Sequence, residues 1–124
     1  MIRKMQPNEI DSVKSLIDSN FPGHHIDRDV LVHTLTCNDC ETYVLVIDGI
    51  IQATASLREN RLCWVTSRDK RQGYARRIVV NLLQCFPSLY LYVKKSNTPA
   101  IRLYESIGFE YVPSDREKSY KMKG

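Results

Sequence analysis

No apolar run in the 124-residue chain approaches the roughly 20 residues that a membrane-spanning helix needs. Behind the basic start Met1-Ile2-Arg3-Lys4 there is no apolar segment of the kind a cleaved secretion signal carries, so a cytoplasmic location is the default expectation. Cysteine is sparse. The four present, Cys37, Cys40, Cys63 and Cys85, come without a secretion signal, and two of them sit in apolar runs, so reduced thiols are expected rather than a disulfide framework. His33, Cys37 and Cys40 offer three soft ligands, but no second CxxC completes a structural zinc set, and no metal is expected. Cys37-Asn38-Asp39-Cys40 precedes a strand instead of opening a helix after one, which speaks against a redox motif. Internal repeats, linkers and low-complexity segments are also missing. The length suits one domain over residues 1–124.

Net charge is small too, at +4, which does not announce nucleic acid. The distribution says more: Arg68, Lys70, Arg71, Arg76 and Arg77 fall within ten residues, a local concentration suited to a polyanionic ligand.

Periodicity supplies the elements. Ile2 to Met5 reads as a strand, and Ile10, Val13, Leu16 and Ile17 as one face of a helix ending at Asn20. Asp27 caps a second short helix carrying Val30, Leu31 and Leu35. Thr42 to Ile47, Asp48-Gly49 and Ile50 to Leu57 form a hairpin, and a turn at Arg58 to Arg61 leads into a strand through Val65. Ala75, Ile78, Val79, Leu82, Leu83 and Phe86 keep helical spacing until Pro87, and Leu89 to Val93 alternates as a strand. A strand-helix-strand crossover makes the strands ending at Val65 and Val93 parallel. Thr98 caps and Pro99 opens a last helix that Gly108 stops; Phe109 to Pro113 and Ser119 to Met122 close the sheet.

Within that last helix Ala100, Leu103, Tyr104 and Ile107 share one face, so Tyr104 points inward. A buried phenol is either a satisfied core residue or a proton donor in a cleft, and spacing alone leaves both open. Arg71-Gln72-Gly73-Tyr74-Ala75-Arg76 lies between a strand and a helix, where unpaired amides favour an anion, although an ordinary turn has the same look.

Together these pieces resemble the GNAT superfamily of N-acetyltransferases, over the chain from first strand to last. Lys70-Arg71-Gln72-Gly73-Tyr74-Ala75 is similar to that family's acyl-CoA pyrophosphate loop, with Lys70 where Gln or Arg is usual. The segment from Asn97 through Ala100, Tyr104, Glu105 and Gly108 to Phe109 is similar to its later motif, in which the asparagine contacts the cofactor and the tyrosine protonates the departing thiolate. The resemblance implies an α/β (α+β) fold: a mixed, mostly antiparallel twisted sheet of about six to seven strands with about four helices, its central parallel pair splayed at the cofactor site. It also implies acetyl-CoA as acyl donor, with pantetheine beside Cys63, Trp64 and Val65 and the diphosphate on Arg71, Gln72, Gly73, Tyr74, Ala75 and Arg76. Asn97 and Tyr104 would complete the cofactor contacts, with Tyr104 as general acid.

For the base, Glu59 stands six residues before Val65, as in histone-type members. Tyr92 stands where ribosomal-protein N-terminal acetyltransferases commonly keep a glutamate. His24, His25, His33 or water are further candidates. The implied activity is direct acetyl transfer to a primary amine of a small molecule or protein, in a monomer or homodimer, without nucleic acid or membrane. Cys63 is not expected to act as a nucleophile, because apolar surroundings raise a thiol's pKa. The alternative is a non-catalytic acyl-CoA-binding sensor or partner module.

Overall fold

Seven strands and three α-helices account for most of residues 1–20, 33, 39–69 and 72–124, which the computed structural model describes. In chain order they are β1 (Ile2–Lys4), a 3-10 turn (Pro7–Glu9), α1 (Ile10–Asn20), β2 (Cys40–Ile47), β3 (Ile50–Arg58), β4 (Arg61–Ser67), α2 (Tyr74–Cys85), β5 (Tyr90–Lys94), α3 (Thr98–Ile107), β6 (Glu110–Val112) and β7 (Ser119–Lys123). The expected second helix at Asp27 lies outside the described residues. No described helix is long and apolar enough to cross a membrane.

The strands form one sheet in the order β1-β2-β3-β4-β5-β7-β6. Every neighbouring pair is antiparallel except β4 and β5, which the α2 crossover makes parallel. The β2–β3 hairpin follows from Asp48-Gly49: both residues hold positive φ, 53° and 77°, as a two-residue turn matched to strand twist requires. At the other end β7 inserts between β5 and β6, a placement that strand patterning does not specify.

Period-two alternation divides the apolar residues between two faces. Leu45, Ala55, Leu57, Leu62, Leu91 and Met122 pack with Ile78, Val79 and Leu82 of α2 and with Tyr104 and Phe109. Val44 and Ile51 face Val13, Leu16 and Ile17 of α1, with Trp64 at the border. That second face also buries hydroxyls, which pair across strands: Thr42 Oγ1 with Ser56 Oγ and Thr54 Oγ1 with Thr66 Oγ1, each at 2.9 Å.

Two local expectations need correction. Asn97, not Thr98, is the cap of α3: its Oδ1 accepts from the Ala100 amide at 3.4 Å, which shifts Thr98 into the helix. Cys63 and Cys85 are free thiols as expected, but Cys40 is disulfide-bonded, to a residue outside the described ones.

Candidate active site

The centre of the sheet contains a gap. β4 and β5 pair only at Arg61↔Tyr90, supported by the Tyr90 amide donating to the Asn60 carbonyl at 2.9 Å, and no register continues beyond it. The cause lies in β4. Opposite β3 the register runs Ser56↔Cys63 and then Thr54↔Thr66, so Trp64 and Val65 together oppose Ala55. One extra residue in one strand is a β-bulge, which bends and overtwists the strand that carries it. Trp64 takes the strain, at φ 52°, in the left-handed region that a non-glycine side chain rarely enters. Its packing beside the α1 cluster holds it there. Nothing in Cys63-Trp64-Val65 announces this conformation; the usual signal, a glycine, is absent.

Tyr104 reaches this gap from α3. Its side chain is 8% exposed, and its ring meets Phe109 edge-on at 5.6 Å. The hydroxyl makes no hydrogen bond to a described residue, yet its oxygen is not sealed from solvent. Burial raises the phenol's pKa well above its ordinary value, and the neighbouring Cys63 thiol adds to the rise. The fold therefore packs the Tyr104 ring in one cluster with Leu62 and Val65 of β4 and Leu91 and Val93 of β5, residues far apart in sequence. Burial likewise raises the Cys63 thiol, with Arg61 and Arg58 pulling the other way.

The glycine loop ends in an open helix N-terminus. Gly73 is the cap of α2 at φ 72°, without a side-chain cap, and the first turn holds no acidic residue. The first intrahelical bond runs from the Arg77 amide to the Gly73 carbonyl at 3.0 Å, so the Tyr74, Ala75 and Arg76 amides have no acceptor within the helix. A Cβ built on Gly73 meets no described atom within 4 Å outside its chain neighbours. The basic cluster is less uniform than its sequence. Arg76 Nη1 donates to Ser106 Oγ at 2.7 Å and ties α2 to α3, while Arg68 Nε turns back to the Ile51 carbonyl at 3.2 Å. Gln72 and Arg77 are exposed; Lys70 and Arg71 lie outside the described residues.

Asn97 is exposed at the start of α3, its Oδ1 engaged in the cap and its Nδ2 without a described partner. Glu59 is exposed in the turn between β3 and β4, at φ 56°, close to the point where β4 and β5 touch. His24 and His25 lie outside the described residues. Among those described, no group of three potential metal ligands gathers.

One feature of the site escapes the sequence reading. Tyr92, half-buried on β5, donates its hydroxyl to Asp115 Oδ1 at 3.0 Å, and the Arg116 guanidinium lies over its ring at 3.9 Å. Arg61 approaches the same ring at 5.4 Å and Lys121 at 5.8 Å. Leu91 and Val93 announce the opposite face of β5 by their alternation, but the arrival of Arg116 depends on how the β6–β7 bend folds back.

Comparison with known proteins agrees with this geometry. The model of the acetyltransferase (GNAT) family matches residues 10–109. The peptidyl-lysine N-acetyltransferase YiaC of Escherichia coli is 28% identical over 123 residues, covering 90% of this chain and 84% of that protein. Among solved structures, a ribosomal-protein-alanine N-acetyltransferase from Brucella melitensis superposes with a TM-score of 0.78 at 14% identity, over 100% of this chain and 98% of its own. The PaiA N-acetyltransferase of Thermoplasma acidophilum, solved in complex with coenzyme A, gives 0.74 at 12% identity, over 99% and 96%.

Proposed function

The chain belongs to the GNAT acetyltransferase family, and from that premise we propose that it transfers the acetyl group of acetyl-CoA directly to a primary amine, with Tyr104 as general acid. The observation that carries the reading is the single-pair contact between β4 and β5, with a phenol lacking any described hydrogen-bond partner beside the gap. The residues present fit a nucleotide-tailed thioester on three counts. β4 and β5 leave their facing edges unpaired beyond one contact, the first turn of α2 offers three amides and holds no acidic residue, and nothing described crowds the α-carbon of Gly73.

Acetyl-CoA, when bound, supplies an acyl group already activated as a thioester. The Tyr74, Ala75 and Arg76 amides hold its diphosphate, with Arg71, Gln72 and Gly73 completing the loop and the helix dipole favouring the negative charge. The bulge at Cys63, Trp64 and Val65 turns the β4 edge toward pantetheine, and a main-chain N–H there meets negative charge developing on the thioester oxygen. Asn97 Nδ2 adds a donor at the start of α3.

Tyr104 hands its proton to the departing sulfur. In water a phenol of pKa about 10 donating to a thiolate with conjugate acid near about 8.5 runs slightly uphill. Burial raises Tyr104 further while the same dry gap also penalises the thiolate; the transfer moves the negative charge from sulfur to the phenol oxygen, and the resulting phenolate takes a proton back from solvent before the next turnover. The raised value keeps Tyr104 protonated throughout the neutral range. Glu59, exposed at the β3–β4 turn, receives the acceptor's proton through water.

Release of free thiol from acetyl-CoA tests the proposal, measured with lysine peptides, peptides with free α-amines and small amines. Turnover of at least one class is expected. Tight acetyl-CoA binding without thiol release from any amine would instead identify a non-catalytic acyl-CoA-binding module.

A further inference from the structure

On the face of the sheet opposite Leu62 and Leu91, the last contact between β4 and β5 is flanked by cations that pair with no carboxylate among the described residues. Arg61 stands at that contact, paired with Tyr90. Its Nε is buried and has no hydrogen-bond partner among the described residues. Its guanidinium, that of Arg116 and the ammonium of Lys121 all gather on the Tyr92 ring, and none of the three is in an ion pair with a described residue. Asp115 is the carboxylate in contact with Tyr92, and it is occupied by the phenol hydroxyl at 3.0 Å. Asp115, Arg116 and Lys121 also line an open cleft of about 540 Å³ in the bend between β6 and β7, together with Glu117 and Lys95.

This group lies within electrostatic reach of the reacting centre. The Cys63 thiol, which acts electrostatically on Tyr104, feels Arg61 and Arg58 as positive neighbours. An amine entering beside Tyr92 therefore meets a positive field, which disfavours an ammonium and favours the neutral nucleophile. The same field opposes a polyamine and attracts an acceptor that brings its own negative charge. A buried guanidinium N–H without an acceptor is the complement of a carboxylate oxygen.

Resting on the acetyltransferase reading, we infer that the acceptor carries a carboxylate a few bonds from its reacting amine, and that Arg61 and Arg116 hold this carboxylate over Tyr92. Two sources present such chemistry: the α-carboxylate of a free amino acid, and an acidic side chain beside the reacting amine of a peptide.

The experiment compares kcat/KM for matched acceptors at saturating acetyl-CoA: free amino acids against their α-carboxamides, peptides with Asp or Glu beside the reacting amine against Asn or Gln peptides, and spermidine. A preference for the carboxylate of about tenfold or more is expected in one of the two arms, which identifies the source, with spermidine poorest. Arg116→Gln, in an exposed bend where folding is not at risk, should bring that ratio down toward one through KM, and Arg61→Gln should do the same. Equal use of charged and neutral partners, a preference for spermidine, or an unchanged ratio in Arg116→Gln would overturn the inference. Calorimetric titration of the same acidic and amidated peptides into the protein with CoA separates the two readings. Arginine-dependent binding without thiol release would retain the carboxylate site and defeat the enzymatic reading, whereas thiol release without arginine-dependent selectivity would do the reverse. Neither binding nor release would defeat both.

Discussion

Replacing Tyr104 with phenylalanine should separate fold from chemistry, because the hydroxyl does nothing for the fold. The ring is buried to 8% exposure and rests on Phe109 at 5.6 Å, and phenylalanine keeps both features. The lost hydroxyl makes no hydrogen bond to a described residue. A structural hydroxyl with a protein partner would cost about 1 kcal/mol on removal. Here the expected change is within about 0.5 kcal/mol, a shift in Tm of no more than about 2 °C for a domain of this size. Turnover should behave otherwise. Loss of a general acid lowers kcat by about 10² to 10⁴, equivalent to about 2.7 to 5.5 kcal/mol at the transition state. The assay pairs thermal denaturation with thiol release at saturating acetyl-CoA and amine. The pKa shift gives a second signature. A phenol raised in the folded state stays protonated after the unfolded chain ionises, so the native state holds more protons and stability falls as pH rises above about 10. Tyr104→Phe removes that contribution, so the variant should lose less stability than the wild type in this alkaline range. A variant that loses more than about 1.5 kcal/mol at neutral pH while turning over normally would refute the reasoning and make Tyr104 a core residue.

Other perturbations address the elements that shape the site. Gly73→Ala places a methyl where nothing lies within 4 Å, so its stability loss of about 1 kcal/mol comes from positive φ alone, while CoA affinity by calorimetry should fall about tenfold; unchanged affinity would count against the loop. Trp64→Ala should cost about 3 to 5 kcal/mol in chemical denaturation through lost packing, and Trp64→Gly no more than that, because glycine relieves the φ of 52°. An ordinary strand position would give the reverse order. Glu9 is held at about 2 chiefly by its hydrogen bonds with Arg3, at 2.7 and 2.8 Å, so Glu9→Gln should cost about 1 kcal/mol at pH 7. The carboxylate's contribution is present above its unfolded value near about 4.3 and is lost as pH falls toward 2, so wild type and variant should converge there in acid denaturation.

Much of this framework was legible because local chemistry and tertiary packing agree. Asp48-Gly49 specified the first hairpin, the spacing of Ala100, Leu103, Tyr104 and Ile107 turned Tyr104 inward, and the α2 crossover imposed the parallel β4–β5 pair. Three features were not legible, each for a physical reason. The bulge at Trp64 is enforced by packing beside α1 against a residue type that avoids positive φ, so local propensity points away from it. Insertion of β7 between β5 and β6 is a choice between edges that alternation cannot make. The cations around Tyr92 come from β4, the β6–β7 bend and β7, and only the closed sheet assembles them. The cap of α3 was misread by one residue, since Asn97 and Thr98 are both capable caps and the backbone turn selects the first.

The central claim is that the space between β4 and β5 takes the pantetheine arm while the α2 N-terminus takes the diphosphate. Titrating CoA into isotopically labelled protein and following the backbone amides tests it most directly. The account predicts saturable shifts at Cys63 and Val65, at Tyr74, Ala75 and Arg76, and at Asn97 and Tyr104, with β1 and the β2–β3 hairpin silent. Saturable binding that leaves the amides of β4 and of the α2 first turn unmoved would contradict it.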